Sequence, residues 1–111
     1  MIFVEKSEGS VYDAPNHHGC YGLMKLTKDV TQRTLINYSF FQPNGGIHMD
    51  SADPVERVYC VIRGSITVKG SGGEEYVVNA GDMIYIGPGE EREVTVNNNA
   101  PAEVLVVVTV I

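Results

Sequence analysis

The stretch GGIHMDSADPVERVYCVIRG, residues 45–64, has a glycine at each end, an acidic centre and an apolar second half. Its run 57–63 is rich in valine, isoleucine and tyrosine, residues that β-strands prefer. The glycines enclose one histidine, two aspartates and one glutamate, which is the setting of a metal-binding motif. The stretch therefore predicts a strand beside a candidate binding site.

The rest of the chain repeats this strand pattern. Clusters of Gly, Pro, Asn and Asp recur about every 8 to 12 residues, the spacing of an all-β sandwich or barrel. Between them lie eight runs rich in Val, Ile, Thr and Tyr: residues 22–27, 34–42, 57–63, 65–69, 75–79, 82–86, 93–97 and 103–111. No long window has a helical period, so the sequence predicts about nine strands and little or no helix.

Composition narrows the functional classes. The 111 residues are 43% apolar and 20% charged, as in one ordinary globular domain, and the net charge is −6. Because no run of Lys or Arg occurs, we expect neither nucleic acid nor a membrane surface as a partner. The sequence has no signal-peptide pattern and its longest apolar stretch is too short to span a bilayer. We therefore expect a cytoplasmic protein in which Cys20 and Cys60 remain reduced.

Two runs are apolar on both faces. Residues 58–62 and 104–108 lack the alternation that places one face of a strand in water. In a small antiparallel protein the second face needs a cover, either another layer of the same chain or a second subunit. The pattern predicts a homodimer.

The spacing of the glycines resembles the cupin family, whose fold is the jelly-roll barrel or double-stranded β-helix. Laid on Gly45 to Gly64 without a gap, the first cupin motif puts its three metal-ligand positions on Ser51, Asp53 and Arg57. The second motif matches Gly81 and the run 87–89, and its histidine position falls on Arg92. The resemblance covers residues 34–111. It implies one cupin domain over residues 1–111, with an N-terminal strand or loop arm at 1–19 and the barrel at 20–111.

The substitutions at these positions argue against the usual metal. Serine is a poor ligand for a divalent ion, and arginine has only donor groups and stays protonated. We expect no cofactor at that position. An alternative alignment, shifted by three residues, makes His48, Asp50 and Glu56 the ligands of one divalent transition metal. It requires gaps on both sides and leaves Glu56 one residue out of register with Gly64.

The resemblance directs Asp53, Arg57 and Arg92 into the mouth of the barrel, and three interpretations stay open. A small anionic molecule, such as a carboxylate, binds there without metal. Lyase, isomerase or decarboxylase chemistry on an acid is the second interpretation, and a purely structural barrel plugged by internal ion pairs is the third. The predicted ligand-binding residues are Ser51, Asp53, Arg57, Tyr59 and Arg92, with Tyr38, Phe40 and Met49 as further walls.

Adjacent residues of a strand point to opposite faces, so His17 and His18 do not easily chelate one ion. One of them can face the barrel mouth as an acid–base group. The other reading is a polar loop before the first long strand.

Overall fold

A computed structural model describes residues 1–111 and contains nine strands without a helix. The strands are β1 (Ser10–Tyr12), β2 (His17–Leu26), β3 (Thr34–Asp50), β4 (Val55–Arg63), β5 (Ser65–Gly70), β6 (Glu75–Asn79), β7 (Met83–Ile86), β8 (Arg92–Val96) and β9 (Ala102–Val110). The eight predicted runs correspond to β2 through β9, and only the three-residue β1 was missed. The all-β prediction is confirmed.

Antiparallel pairing joins the strands into a nearly closed barrel. The order is β6-β5-β8-β3-β9-β4-β7, with β2 paired to β3 and β1 paired to β2. The first half of β3 pairs with β9 and its second half pairs with β8, so this single strand belongs to both sides of the barrel. No helix of a kind that could cross a membrane is present.

The N-terminal segment contributes to the sheet. Strand β1 and the first residues of β2 lie within 1–19, the segment expected as an arm, and both pair with neighbouring strands. Residues 1–9 contain no strand. The Lys25 ammonium holds them by donating to the carbonyls of Lys6, at 2.7 Å, and Glu8.

Strand β3 bends where the sequence predicts a turn. Residues 43–46 were expected to end a strand, but β3 continues through them and that prediction is wrong. At the bend β3 passes very close to β2: a Cβ added at Gly45 would lie 2.3 Å from the Gly19 carbonyl oxygen and 2.9 Å from that of Gln42. Only glycine permits this approach, so Gly45 is a requirement of the fold.

The packed core fills one end of the barrel. Ile66, Val61, Val94 and Val104 are each at most 1% exposed and project from β5, β4, β8 and β9 toward one another. Arg57 precedes Val61 by four residues on β4, and Arg92 precedes Val94 by two on β8, so both arginines share the inward face of their strands. The inward face thus changes from apolar to cationic toward the other end.

The two cysteines are free thiols. Burial raises the pKa of the Cys20 thiol to about 11, and a hydrogen bond with the Phe40 backbone opposes this only in part. The Cys20 thiol therefore remains protonated near neutral pH, and the thiolate is the reactive form.

Candidate functional site

A cavity of about 150 Å³ lies between the inward faces of the barrel, above the packed core. Nine of its 14 lining residues are hydrophobic, and they form its floor and part of its walls. The hydrophobic set includes Phe41, Ile47, Ile66, Val94, Val104 and Val106. The polar set is Asn37, Ser39, His17, Arg57 and Arg92, to which Tyr12 and Tyr59 add their hydroxyl groups. The cavity therefore has the apolar body and few polar groups typical of small-molecule sites.

Arg92 is held in place by the protein. It is 4% exposed, and its Nε donates to the Tyr59 hydroxyl oxygen at 2.7 Å while its Nη1 donates to the Asp50 carbonyl at 3.3 Å. Asp50 faces Arg92 because β3 has a bulge between Ile47 and Asp50 that shifts the side to which its residues point. Arg92 thus fixes the position of the Tyr59 hydroxyl in the cavity.

Arg57 is buried without such partners. It is 7% exposed, and its Nε and Nη2 are buried atoms to which no protein group offers an acceptor. These two nitrogens lie on one edge of the planar guanidinium, the edge that donates two parallel hydrogen bonds to a carboxylate. A buried donor left without a partner destabilises a protein by about 1–3 kcal/mol, so an acceptor bound to this edge would stabilise the folded state.

The internal ion pairs of the purely structural interpretation are not formed. Glu56 accepts a hydrogen bond from the Tyr85 hydroxyl at 2.8 Å, and Glu90 accepts one from the Gly87 amide at 2.6 Å. Asp53 and Glu91 are exposed, and neither they nor the half-buried Glu93 are hydrogen-bonded to Arg57 or Arg92. The two buried guanidinium groups therefore face the cavity without a neutralising carboxylate at its centre.

Two residues predicted for the site lie outside the cavity. Ser51 and Asp53 are exposed and follow the end of β3 at Asp50, before β4 begins at Val55. The expectation that Asp53 points into the mouth was wrong. The ungapped alignment assumes that side chains alternate between the two faces as they do in a strand, and the loop between β3 and β4 does not keep that alternation. Arg57, Tyr59 and Arg92 do line the cavity. They stand on strands, where the alternation holds.

The walls on β3 are also shifted by one residue from expectation. Tyr38 and Phe40 line a groove on the outer surface, and Met49 is 38% exposed, so none of the three is a wall of the cavity. Asn37 and Ser39 point inward instead. The available signal was a pair of polar residues two apart in an otherwise apolar run, which is unexpected on a packed inner face and marks an unfilled space.

With this geometry, the resemblance is supported by a direct match. Residues 37–108 match the family model described as Cupin domain. This chain is a member of the cupin family. No curated protein sequence matches the chain.

Solved structures agree on the fold. A predicted oxalate decarboxylase of Thermotoga maritima is similar with a TM-score of 0.82 and 19% identity over 99% of this cupin and 100% of that chain. The polyketide cyclase RemF of Streptomyces resistomycificus gives 0.84 and 19% over 98% and 79%. Drosophila melanogaster CENP-C bound to CAL1 gives 0.78 and 18% over 94% and 82%. At these identities the likeness concerns the barrel alone.

The displaced metal site is not assembled in this cupin. His48 is exposed and its ring lies against that of His18, with the centroids 4.9 Å apart. Glu56 is engaged by Tyr85, whose side chain is 56% exposed and thus on the outer surface. No group of three or more His, Cys, Asp or Glu side chains is close enough to hold a metal ion. The alternative ligand set His48, Asp50 and Glu56 is therefore not brought together.

The electrostatics of the cavity favour an anion. Burial lowers the pKa of Arg57, and the neighbouring charge of Arg92 lowers it further, while Tyr59 and Asp50 oppose the shift. The pKa of His17 is also lowered, chiefly by burial and in smaller part by Arg92 and Arg57, against a hydrogen bond with the Pro15 carbonyl. His17 is neutral at pH 7 as a result. A bound anion would stabilise the charged form of Arg57.

His17 should make the stability of the protein fall in acid. Since its folded-state pKa lies below the ordinary value of 6.5, the unfolded chain takes up a proton first as the pH falls, and folding becomes less favourable. The contribution is present above about pH 6.5 and is lost toward the lowered folded-state pKa. We expect His17→Gln to lose less stability than wild type between about pH 7 and 5 in urea denaturation. The exposed neighbour variant His18→Gln should behave as wild type, and parallel losses in all three proteins would exclude His17 as the cause.

Proposed function

We propose that this cupin binds a small carboxylate in its barrel cavity, without a metal cofactor, and that Arg57 is the anchor. The unpartnered Nε and Nη2 of Arg57 carry the proposal. A carboxylate placed against that edge would satisfy both donors and neutralise one buried charge, which removes two destabilising terms at once. A barrel with a purely structural role would gain nothing from leaving these donors open.

The dimensions and lining of the cavity limit the ligand. A volume of about 150 Å³ is comparable with an engineered protein cavity that takes up benzene. A carboxylate held by Arg57 leaves its short apolar tail against the floor formed by residues such as Phe41 and Ile66. The Tyr59 hydroxyl, fixed by Arg92, lies beside the same space. A compact acid of three to about five carbon atoms suits this arrangement.

A thermal-shift series tests the proposal. The probes are short-chain carboxylates such as isobutyrate, each compared with its uncharged amide and with sodium chloride at equal ionic strength. A ligand at about 100 times its Kd adds roughly 2.7 kcal/mol to the stability of the folded state. That corresponds to an increase in Tm on the order of 10 °C for a domain near this size. If no acid raises the Tm above its amide and salt controls, the proposal is wrong.

An enzyme acting by acid–base chemistry is the alternative, and the position of His17 favours it. A neutral imidazole in the cavity can accept a proton from a bound acid, and the two arginines can stabilise the negative charge that forms. Incubation of an acid that binds in D2O separates the two functions. Exchange of its α-hydrogen that His17→Gln abolishes would establish proton abstraction, and binding without exchange would leave a carrier or sensor. The descriptions of the similar structures span enzymes and CENP-C, so the fold does not choose between them.

We also propose that the protein works as a homodimer, covered on the outer face of β2, β3 and β9. Phe40 stacks there between Tyr21 and Tyr38, with ring centroids 5.0 and 5.6 Å away. Lys25 and Glu103 lie beside these rings on the same groove, so a second copy related by two-fold symmetry can pair opposite charges around an apolar centre.

Sedimentation tests the dimer. We expect a dimer at tens of micromolar protein, and a monomer for Phe40→Glu, because a carboxylate would be buried at the centre of the interface. Tyr76→Glu changes another aromatic residue, 54% exposed on β6, and should remain dimeric. A wild-type monomer at this concentration contradicts the proposal. So does dissociation of both variants.

A further inference from the structure

Asn37 adds a third unpartnered atom to the cavity. Only three buried side-chain polar atoms in the chain have no hydrogen-bond partner, namely Asn37 Oδ1, Arg57 Nε and Arg57 Nη2. All three belong to residues that line the same cavity. Buried polar groups are nearly always satisfied, so three exceptions in one small space describe what is missing from it: an anion for the two donors, and a donor for the one acceptor.

Asn37 and Arg57 face the cavity from different strands. Asn37 on β3 and Tyr59 on β4 are both paired with Val106 of β9, and Arg57 is paired with Val108 of the same strand. Asn37 is thus two strands away from Arg57 and one inward position further along the barrel. A ligand whose carboxylate meets Arg57 therefore meets Asn37 with another part of its skeleton rather than with its charged end.

From these three atoms we infer that the ligand is a short hydroxycarboxylate, with the hydroxyl on the second or third carbon donating to Asn37 Oδ1. The inference rests on the proposed carboxylate site and adds the donor. A methyl group at that position would leave the Asn37 oxygen unsatisfied. In the orientation that the Asn37 amide has here, a keto oxygen would face that oxygen as a second acceptor. A site built around a substrate hydroxyl rejects analogues that lack it more strongly than it distinguishes hydrocarbon size.

Acids of matched size provide the test. Lactate, isobutyrate and pyruvate have the same number of non-hydrogen atoms and differ in offering a hydroxyl donor, a methyl group or a keto acceptor. The pair 3-hydroxybutyrate and isovalerate makes the same comparison one carbon further along. By calorimetry or thermal shift, we expect the hydroxy acid of at least one set to bind about tenfold more tightly than its methyl analogue. Pyruvate should be no better than isobutyrate.

Two variants at position 37 test whether Asn37 causes the preference for hydroxy acids. Asn37→Leu removes the acceptor at similar volume, so the hydroxy and methyl acids should bind equally or in reversed order. Asn37→Asp is isosteric and keeps an acceptor, but its charge opposes the ligand and should weaken all the acids together. This second variant reports on the position even if leucine impairs folding.

The outcomes separate this inference from the proposed function. If the acids bind through Arg57 but the methyl analogues are as tight as the hydroxy acids in both sets, the hydroxyl inference is wrong and the carboxylate site remains. A preference for the hydroxy acid that survives in Asn37→Leu also overturns the inference. If none of the acids binds, the carboxylate site itself is wrong.

Discussion

Replacing Arg57 by methionine is expected to stabilise the ligand-free protein and to abolish its stabilisation by carboxylates. Arg57 is only 7% exposed, and two of its donors lack partners. Methionine fills much of the same space without a charge or a donor. We expect the free energy of unfolding to rise by about 1–3 kcal/mol without ligand, and the gain of roughly 2.7 kcal/mol at 100 times Kd to disappear. Urea denaturation with and without isobutyrate measures both effects.

The experiment is decisive because the two expected effects have opposite signs: the stability of the ligand-free protein rises, and the stabilisation by ligand disappears. A residue with a purely structural role would lower the stability when removed, and an exposed one would change neither quantity. Arg63 on the same strand is exposed, so Arg63→Met is the matched control and should retain ligand stabilisation in full. Should Arg57→Met lose stability without ligand while still responding to the acid, Arg57 is a structural residue and the anchor lies elsewhere.

Replacing Gly45 by alanine is expected to cause the largest loss of stability of the changes considered. The new Cβ would meet the carbonyl oxygens of Gly19 and Gln42, both of which belong to the backbone of paired strands. Relief requires moving β2 away from β3 at the bend, and overpacking of this kind costs about 3 kcal/mol or more. Urea denaturation should show a strongly lowered midpoint, or the variant should fail to accumulate as folded protein.

Gly72→Ala is the control for this substitution. Gly72 lies in the turn between β5 and β6, and a Cβ there would meet only the Glu74 side chain, which can rotate away. The change should stay within about 0.5 kcal/mol of wild type. If Gly45→Ala is as well tolerated as Gly72→Ala, the crossing of β2 and β3 is less constrained than the distances imply.

The sequence predicted the fold better than the site for a physical reason. Alternation, turn residues and glycine spacing reflect local backbone geometry. The backbone requires glycine at both ends of the first motif, because Gly64 has φ of +82° and Gly45 lies where β2 and β3 cross. The site depends on which face each residue takes. Within β4 and β8 that was predictable, and Arg57 and Arg92 are inward as expected.

The predicted alternation of inward and outward side chains failed wherever a bulge or a loop intervened. The bulge between Ile47 and Asp50 brings Asp50 opposite Arg92, and the loop that follows carries Ser51 and Asp53 away from the cavity. The bulge has no signature in the local sequence, whereas the loop does have one, the Asp53-Pro54 turn signal, which the ungapped alignment ignored. Asn37 was overlooked because a polar residue in an apolar strand is ordinarily assigned to the wet face.

The burial of Arg57 has a consequence for selectivity in a mixed ionic solution. Mobile ions screen exposed charges within about 10 Å at 0.1 M salt, but they act far less on a charge enclosed by protein. The attraction between Arg57 and an enclosed acid should therefore persist in concentrated electrolyte, where surface-bound anions are displaced. If the cavity binds an acid as proposed, the same two arginines that line it would repel metal cations and protonated amines, so the sign of a solute's charge would matter before its shape.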